Sequence, residues 1–487
     1  MTGEPLHARG TTSPARLRQA FEGEVVRAGR GVRQALAAAV REAVRGGRLA
    51  PGTRLPSSRR LAAELGLARN TVADAYGDLV AEGWLTARRG SGTLVADRAD
   101  RADRADRTDG AGRAGTRPSV SRPAAGPFCS PRHDLIPGNP DLSAFPRAAW
   151  LAAARRALAA APDDALGHGD PRGRPELRAA LAGHLARARG VYVSPEHVLI
   201  CAGVSHGLQI LGGVLAGRGA SSVAVESYRL DRQYGLLEAA GLETLPLPLD
   251  THGTDPVPPV GTDAVLLAPA HQFPVGTALR HDRRTAVVDW AGRTGGLVLE
   301  DDHDGEFRFG HRSVGALQAL APDRVVYLGT AGQTLAPGLR LAWIALPPAL
   351  ADDAVAAKGR IDSSEVVSQL TMAEFITSGA YGRHVRAVRR RYRDRRDSLV
   401  TALAREAPQV RVLGTAGGLH SVLGLPPGTE QPVLEAATRE GLRVAGLSRY
   451  RHERALNGLT DALVVGYGAP SDAQWPLALA ALMRILS

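Results

Sequence analysis

Apolar residues recur at Val32, Leu36, Val40 and Val44, one every four positions, and the run stops before Gly46 and Gly47. Such a stripe predicts an amphipathic helix closed by glycine. A second helix is predicted after Pro56 and Ser57, with Leu61, Ala62 and Leu65 facing inward and Gly66 as its stop. Val72, Ala75, Tyr76, Leu79 and Val80 then keep an unbroken i, i+3, i+4, i+7, i+8 spacing. They predict a third helix whose first turn, Arg69, Asn70 and Thr71, is polar and outward. Trp84 to Arg88 and Thr93 to Val95 flank the tight turn Arg89, Gly90, Ser91 and Gly92, which predicts a β-hairpin wing.

From Asp97 to Gly126 the pattern disappears. Asp-Arg-Ala recurs at 97, 100 and 103, followed by Gly, Ala and Pro. With no apolar face to bury, residues 97–130 read as a solvated, flexible tether. Residues 1–30 also lack a pattern and read as an N-terminal tail. From about Leu135 short apolar runs alternate with Ala/Leu-rich helical stretches. Strands are predicted at Ser222 to Val225, Ala264 to Leu267, Gly296 to Leu299 and Val325 to Leu328. This is the pattern of a mostly parallel sheet with ligand sites at the carboxyl ends of its strands. From Ala351 onward the pattern turns helical and predicts a smaller C-terminal subdomain. The expected fold is multidomain: an α+β winged helix-turn-helix at 31–96, then an α/β domain over 131–487.

Composition narrows the function. At 487 residues and 44% hydrophobic, the chain can build at least two cores. It has no run of eighteen apolar residues, and its first ten residues lack the apolar stretch of a secretory signal, so a soluble, cytoplasmic protein is expected. Cys129 and Cys201 have neither CxxC spacing nor a neighbouring His cluster, so neither a disulfide framework nor a zinc site is indicated. Residues 1–96 hold 15 Arg against 8 Asp plus Glu, a balance of +7 within a whole-chain charge of +11. A small basic end is the electrostatic mark of a nucleic-acid binder. Arg replaces Lys almost everywhere, leaving the single lysine Lys358.

A recognition helix reads base edges with its N-terminal turns while its other face packs on the domain. Arg69 can pair with guanine, Asn70 with adenine, and Thr71 suits a phosphate or a thymine methyl. The stretch 47–72, followed by Ala-Glu-Gly-Trp-Leu at 81–85 and Gly-Ser-Gly-Thr at 90–93, resembles the winged helix-turn-helix of the GntR regulator family. The resemblance implies contacts to a double-stranded DNA operator from Arg59, Arg69, Thr71 and the wing residues Arg89 and Gly90. Ala73 stands where some relatives carry a further DNA-contacting Arg.

In the second domain, polar groups gather after the predicted strands at 271–276, 300–304 and 329–340, and Cys201 to Ser205 opens a helix whose amides could hold a phosphate. Residues 169–178, 300–308 and 334–341 resemble fold type I aminotransferases, and specifically the fused MocR/GabR-type regulators. That resemblance implies a homodimer and pyridoxal 5'-phosphate (PLP). Carried over by position, Asp301 would pair with the pyridine nitrogen and Arg340 would bind the phosphate, with amides from Gly203, Val204 and Ser205.

Three departures follow. Gln333 stands where relatives have the lysine that forms the internal aldimine, and an amide nitrogen is neither nucleophile nor base. His303 stands where relatives bond the cofactor's phenolic oxygen with Tyr. Glu-Ser-Tyr-Arg-Leu at 226–230 replaces the usual Glu-Asp-Pro-Gly-Tyr, so Leu230 takes the place of the stacking Tyr, unless Tyr228 stacks in its stead. Lys358 is not expected to substitute for the missing lysine. Three readings remain at this point: a DNA-binding regulator that senses a small-molecule effector noncovalently, an aminotransferase-fold enzyme using His303 as base, and a ligand-free dimerisation scaffold.

Overall fold

The structure, a computed structural model, describes residues 32–45, 48–81, 84–88, 92–95, 132–309, 315–359, 364–455 and 461–487. The tail at 1–30, the tether at 97–130, the wing-tip residues Arg89 and Gly90, and Cys129 lie outside the described residues. The chain divides between residues 125 and 126 into two units.

In the first unit, helices α1 (Val32–Arg45), α2 (Ser58–Leu65) and α3 (Arg69–Ala81) fall where the apolar spacing places them. Leu36, Val40, Leu61, Val72, Ala75 and Leu79 share one core. The Ser57 side chain caps α2 by accepting from the Arg60 amide, and Gly66 closes the helix in the left-handed conformation at φ 64°. Arg33 on α1 forks onto Asp78 on α3. Strands β1 (Leu85–Arg88) and β2 (Gly92–Val95) pair antiparallel. Gly92, placed in the turn by sequence, instead pairs with Arg88 as a strand residue. The hairpin also has an unanticipated third partner: Leu55 N donates to Thr93 O and Val95 N to Thr53 O, both at 2.9 Å.

The second unit is built on a seven-stranded sheet of β3 (Val198–Cys201), β4 (Ser222–Glu226), β5 (Glu243–Leu247), β6 (Ala264–Leu267), β7 (Leu297–Asp302), β8 (Val325–Thr330) and β9 (Ala342–Ala345). The spatial order is β3-β9-β8-β7-β6-β4-β5, and β9 runs antiparallel to both neighbours. Val223, Val225, Leu266 and Leu299 turn to one face, against helix α6 (Val204–Gly217). Ala224, Val265, Leu267 and Val298 turn to the other, against Val287 and Trp290. Helices α4 (Arg147–Ala160) and α5 (Pro175–Arg189) pack with α9 (Val366–Thr377).

Two boundaries differ from the sequence reading. Strand β7 runs past Leu299 through Glu300, Asp301 and Asp302, all buried. Each carboxylate is matched: Glu300 accepts the amides of Leu317 and Gln318, and Arg189 forks onto Asp302. Matched charges can continue a buried strand, which an apolar pattern alone does not reveal. The smaller subdomain also does not begin at Ala351, because α9 belongs with the layer on the large sheet. Its core starts at helix α10 (Ala380–Glu406), takes in Leu135 and Phe307, and carries a second antiparallel sheet. That sheet comprises β10 (Arg411–Leu413), β11 (His420–Gly424), β12 (Ala445–Gly446) and β13 (Ala462–Gly466), in the order β10-β11-β13-β12.

Candidate functional site

In the first unit, Arg59 on α2 and Arg69 and Asn70 in the first turn of α3 are exposed, while Thr71 is half-buried and Ala73 exposed. Their placement follows from the core: Val72, Ala75, Tyr76 and Leu79 claim the other face of α3. Tyr76 is fixed by donating its hydroxyl hydrogen bond to Pro56 O at 3.2 Å. The segment entering α2 is thereby tied to α3, and a guanidinium and an amide side chain are displayed at the start of α3. That is the geometry with which such helices enter a major groove.

In the second unit, Asp301 lies near the carboxyl end of β7, opposite Leu328 of β8. Its Oδ2 accepts from Arg229 Nη2 at 2.5 Å and from Gln233 Nε2 at 3.2 Å. Its buried Oδ1 has no hydrogen-bond partner, with His303 Nδ1 3.7 Å away. Arg229 is itself buried and bonds Glu226 Oε2 at 2.5 Å and Gln233 Oε1 at 3.0 Å. Burial raises the Glu226 carboxyl above its ordinary range. Burial would raise Asp301 too, but His303 and Arg229 outweigh it and hold Asp301 below the usual carboxylate range. His303 stands between two carboxylates. Burial disfavours its charge, yet Asp304 and Asp301 push its pKa up to about 9, so the ring is a cation at neutral pH.

Beyond β7, His271 Nδ1 donates to Asp304 Oδ2 at 2.8 Å, and His303 Nε2 lies 3.6 Å from the same oxygen. Burial would raise Asp304, but the charges of His271 and His303 hold it well below the usual carboxylate range. The ring of His420 lies 4.9 Å from that of His271. Burial, followed by the neighbouring His271, drives the His420 pKa down to about 3.

Gly203 precedes α6 with φ 94°, so the amides of Val204 and Ser205 stand in a helical first turn. A Cβ at Gly203 would lie 3.3 Å from the Arg340 guanidinium, so the missing side chain lets that cation close on the helix start. Arg340 holds a left-handed φ of 53° and is exposed. Lys358 Nζ donates to the carbonyls of Pro171 at 2.5 Å and of Ile200, near the end of β3, at 3.0 Å. Burial raises the Cys201 thiol to about 12, against the opposing pull of Lys358 and Arg340. Gln333, just after β8, donates from Nε2 to Gly138 O at 3.0 Å, while its buried Oε1 has no hydrogen-bond partner. Leu230 and Tyr228 belong to an apolar cluster with Val275, Val422, Leu447 and Tyr450. Tyr228 is thus taken up in packing between the large sheet and the smaller subdomain rather than offered as a stacking face.

The structure therefore brings Asp301, His303, Gly203 and Arg340 to the carboxyl ends of the large sheet. The sequence reading missed Arg229 and Gln233, which engage Asp301. A signal existed: an Arg in place of Gly within an otherwise buried turn requires a carboxylate partner.

The two units together define a winged helix-turn-helix DNA-binding domain joined to an aminotransferase-fold domain. Residues 32–95 match the bacterial regulatory proteins of the gntR family, and residues 138–448 match aminotransferase class I and II. The chain is 33% identical over 443 residues to the HTH-type pyridoxine biosynthesis transcriptional regulator PdxR of Corynebacterium glutamicum, covering 90% of this chain and 93% of that one. It is 33% identical to the probable rhizopine catabolism regulatory protein MocR of Rhizobium meliloti, covering 84% and 85%. Among solved structures, an archaeal alanine:glyoxylate aminotransferase aligns with a TM-score of 0.65 and 25% identity, over 73% of this chain and 90% of that one. The chain belongs to the MocR-type branch of the GntR transcriptional regulators, whose second domain has the fold of class I and II aminotransferases. That fold family generally binds PLP. Among the described residues, no helix is long and apolar enough to cross a membrane.

Proposed function

We propose that this regulator binds operator DNA as a homodimer in the cytoplasm and uses its aminotransferase-like domain to sense a small molecule noncovalently, without transamination. The observation that carries the reading is Gln333. At the end of β8, where the resemblance calls for a lysine, the side chain is an amide whose nitrogen is already donated to Gly138 O. An amide can neither attach a carbonyl cofactor nor shuttle a substrate proton. His303 does not replace it as a base, because at a pKa of about 9 its ring holds its proton at neutral pH. Lys358 donates to the backbone carbonyls of Pro171 and Ile200.

The remaining groups fit PLP held by charge and hydrogen bonds. Gly203, Val204, Ser205 and Arg340 would hold its phosphate, and the unpartnered Oδ1 of Asp301 would accept from its ring nitrogen. Bound there, PLP would offer an electrophilic aldehyde to an amine effector. Absorbance of the protein with added PLP, before and after borohydride, tests the reading. A saturable spectral change that borohydride does not fix to the chain is expected, whereas a covalent adduct at Lys358 would refute it.

For the DNA-binding end, a duplex selected from a random pool with the full-length protein supplies the probe. Arg69→Ala is expected to lower affinity by about tenfold to a hundredfold and to relax base preference at one position, as loss of a base-edge pair of about 1–3 kcal/mol would. Arg59→Ala, losing a phosphate contact, should weaken all sequences alike and flatten the plot of log affinity against log salt by about one unit. Unchanged affinity and base preference in Arg69→Ala, or an unchanged salt slope in Arg59→Ala, would remove that residue from the interface.

A further inference from the structure

His271, Asp304 and His420 are widely separated in sequence, yet their side chains meet where the carboxyl ends of β6 and β7 face the first residue of β11. Their exposures are 1%, 4% and 4%. One ligand-capable atom from each lies within 4.8 Å of the other two. Asp304 Oδ2 fixes His271 through Nδ1 at 2.8 Å, while the other nitrogen of His271, Nε2, is buried without a hydrogen-bond partner. His420 Nε2 donates to Pro274 O at 2.9 Å, and since a carbonyl only accepts, the lone pair of this neutral ring sits on Nδ1. The backbone is shaped to the cluster as well. At Gly418, with φ 67°, any side chain would collide with the His271 ring and the Asp304 carboxylate.

A buried imidazole nitrogen with no partner requires an explanation in a folded protein, and an unfilled ligand position is one. We propose that His271, Asp304 and His420 form a binding site for a divalent transition-metal cation of the Zn2+ type. Two imidazole nitrogens and one carboxylate oxygen are a ligand set such cations accept. With metal–ligand bonds of about 2.0–2.1 Å, tetrahedral ligand atoms stand roughly 3.3 Å apart, so the widest pair must close by about 1.5 Å. Closing that gap requires the two His rings to turn, exchanging the His271 Nδ1–Asp304 and His420 Nε2–Pro274 hydrogen bonds for bonds to the cation. The proposal does not depend on the sensing role above. The site shares no residue with Gly203, Val204, Ser205, Asp301 and Arg340, but His303 lies between the two, its Nε2 3.6 Å from Asp304 Oδ2 and its Nδ1 3.7 Å from Asp301 Oδ1. Because it joins loops of the large sheet to the smaller subdomain's sheet, an occupying cation would pin the two together.

Full-length protein, stripped with a chelator and dialysed, is titrated with zinc chloride by calorimetry and with cobalt chloride by visible absorbance. One equivalent of Zn2+ per chain is expected, with the intense Co2+ bands of a four- or five-coordinate site. His271→Gln and His420→Gln should each weaken Zn2+ binding by about 100-fold or more. Substoichiometric binding to the wild type, the weak Co2+ spectrum of a six-coordinate aqueous ion, or undiminished binding in both variants would overturn the proposal. The wild-type Co2+ spectrum decides the matter even if a variant fails to fold, and Asp304→Asn supplies a third, nearly isosteric test.

Discussion

Arg229→Ala is expected to lower the folding stability of the aminotransferase-like domain by about 3–5 kcal/mol, because it strands two buried carboxylates. Asp301 Oδ2 and Glu226 Oε2 each lie 2.5 Å from this guanidinium, and all three side chains are about 3% exposed or less. Without the cation, at least one carboxylate must take up a proton or admit water. Urea unfolding followed by circular dichroism measures the loss. Pairing Arg229→Ala with Asp301→Asn should return part of it, since the double variant buries one charge fewer. A single-variant loss under about 1 kcal/mol would mean that the triad is solvated in solution. Arg229→Lys is expected to fall between, because an ammonium cannot reproduce the fork that spans Glu226 and Asp301.

The second large effect concerns Gln333. Gln333→Lys, incubated with PLP and treated with borohydride, is expected to gain the mass of one reduced cofactor at position 333, while the wild type gains none. The change is expected to be close to all-or-none because, under the proposed reading, it supplies the nucleophilic amine that Gln333 does not. Peptide mapping locates the adduct. If the variant binds PLP no better and acquires no adduct, Gln333 does not face the cofactor position and the assignment of the site falls. Efficient turnover of amino acids is not expected even then, because His303 and Leu230 still depart from the aminotransferase pattern.

The DNA-binding unit was readable because its helices are short, amphipathic and locally capped. Val72, Ala75, Tyr76 and Leu79 declare one face of α3, and that alone leaves Arg69 and Asn70 outward. The bridge from Thr53 to Leu55 onto the wing was not readable. Thr53 to Leu55 is three residues between Pro51 and Pro56, too short for an alternating pattern, and only its bonds to Thr93 and Val95 join it to the hairpin. In the second unit, the apolar cores of β4, β6, β7 and β8 were visible, but the carboxylates ending β7 read as a loop. Their burial depends on Arg189 and Arg229, 113 and 72 residues away in the chain.

The sequence by itself determined the two-domain plan, the family, the polar first turn of α3, and the presence of Gln333 on which the proposed noncovalent site rests. These rest on local periodicity and on residue identity at fixed positions, which need no knowledge of distant contacts. Only the tertiary structure decided which polar groups meet: Arg229 with Asp301 and Glu226, Lys358 with the carbonyls of Pro171 and Ile200, and His271 with Asp304 and His420. Electrostatic pairing acts over a few ångströms in space, and no periodicity records which side chains the sheet crossings bring that close.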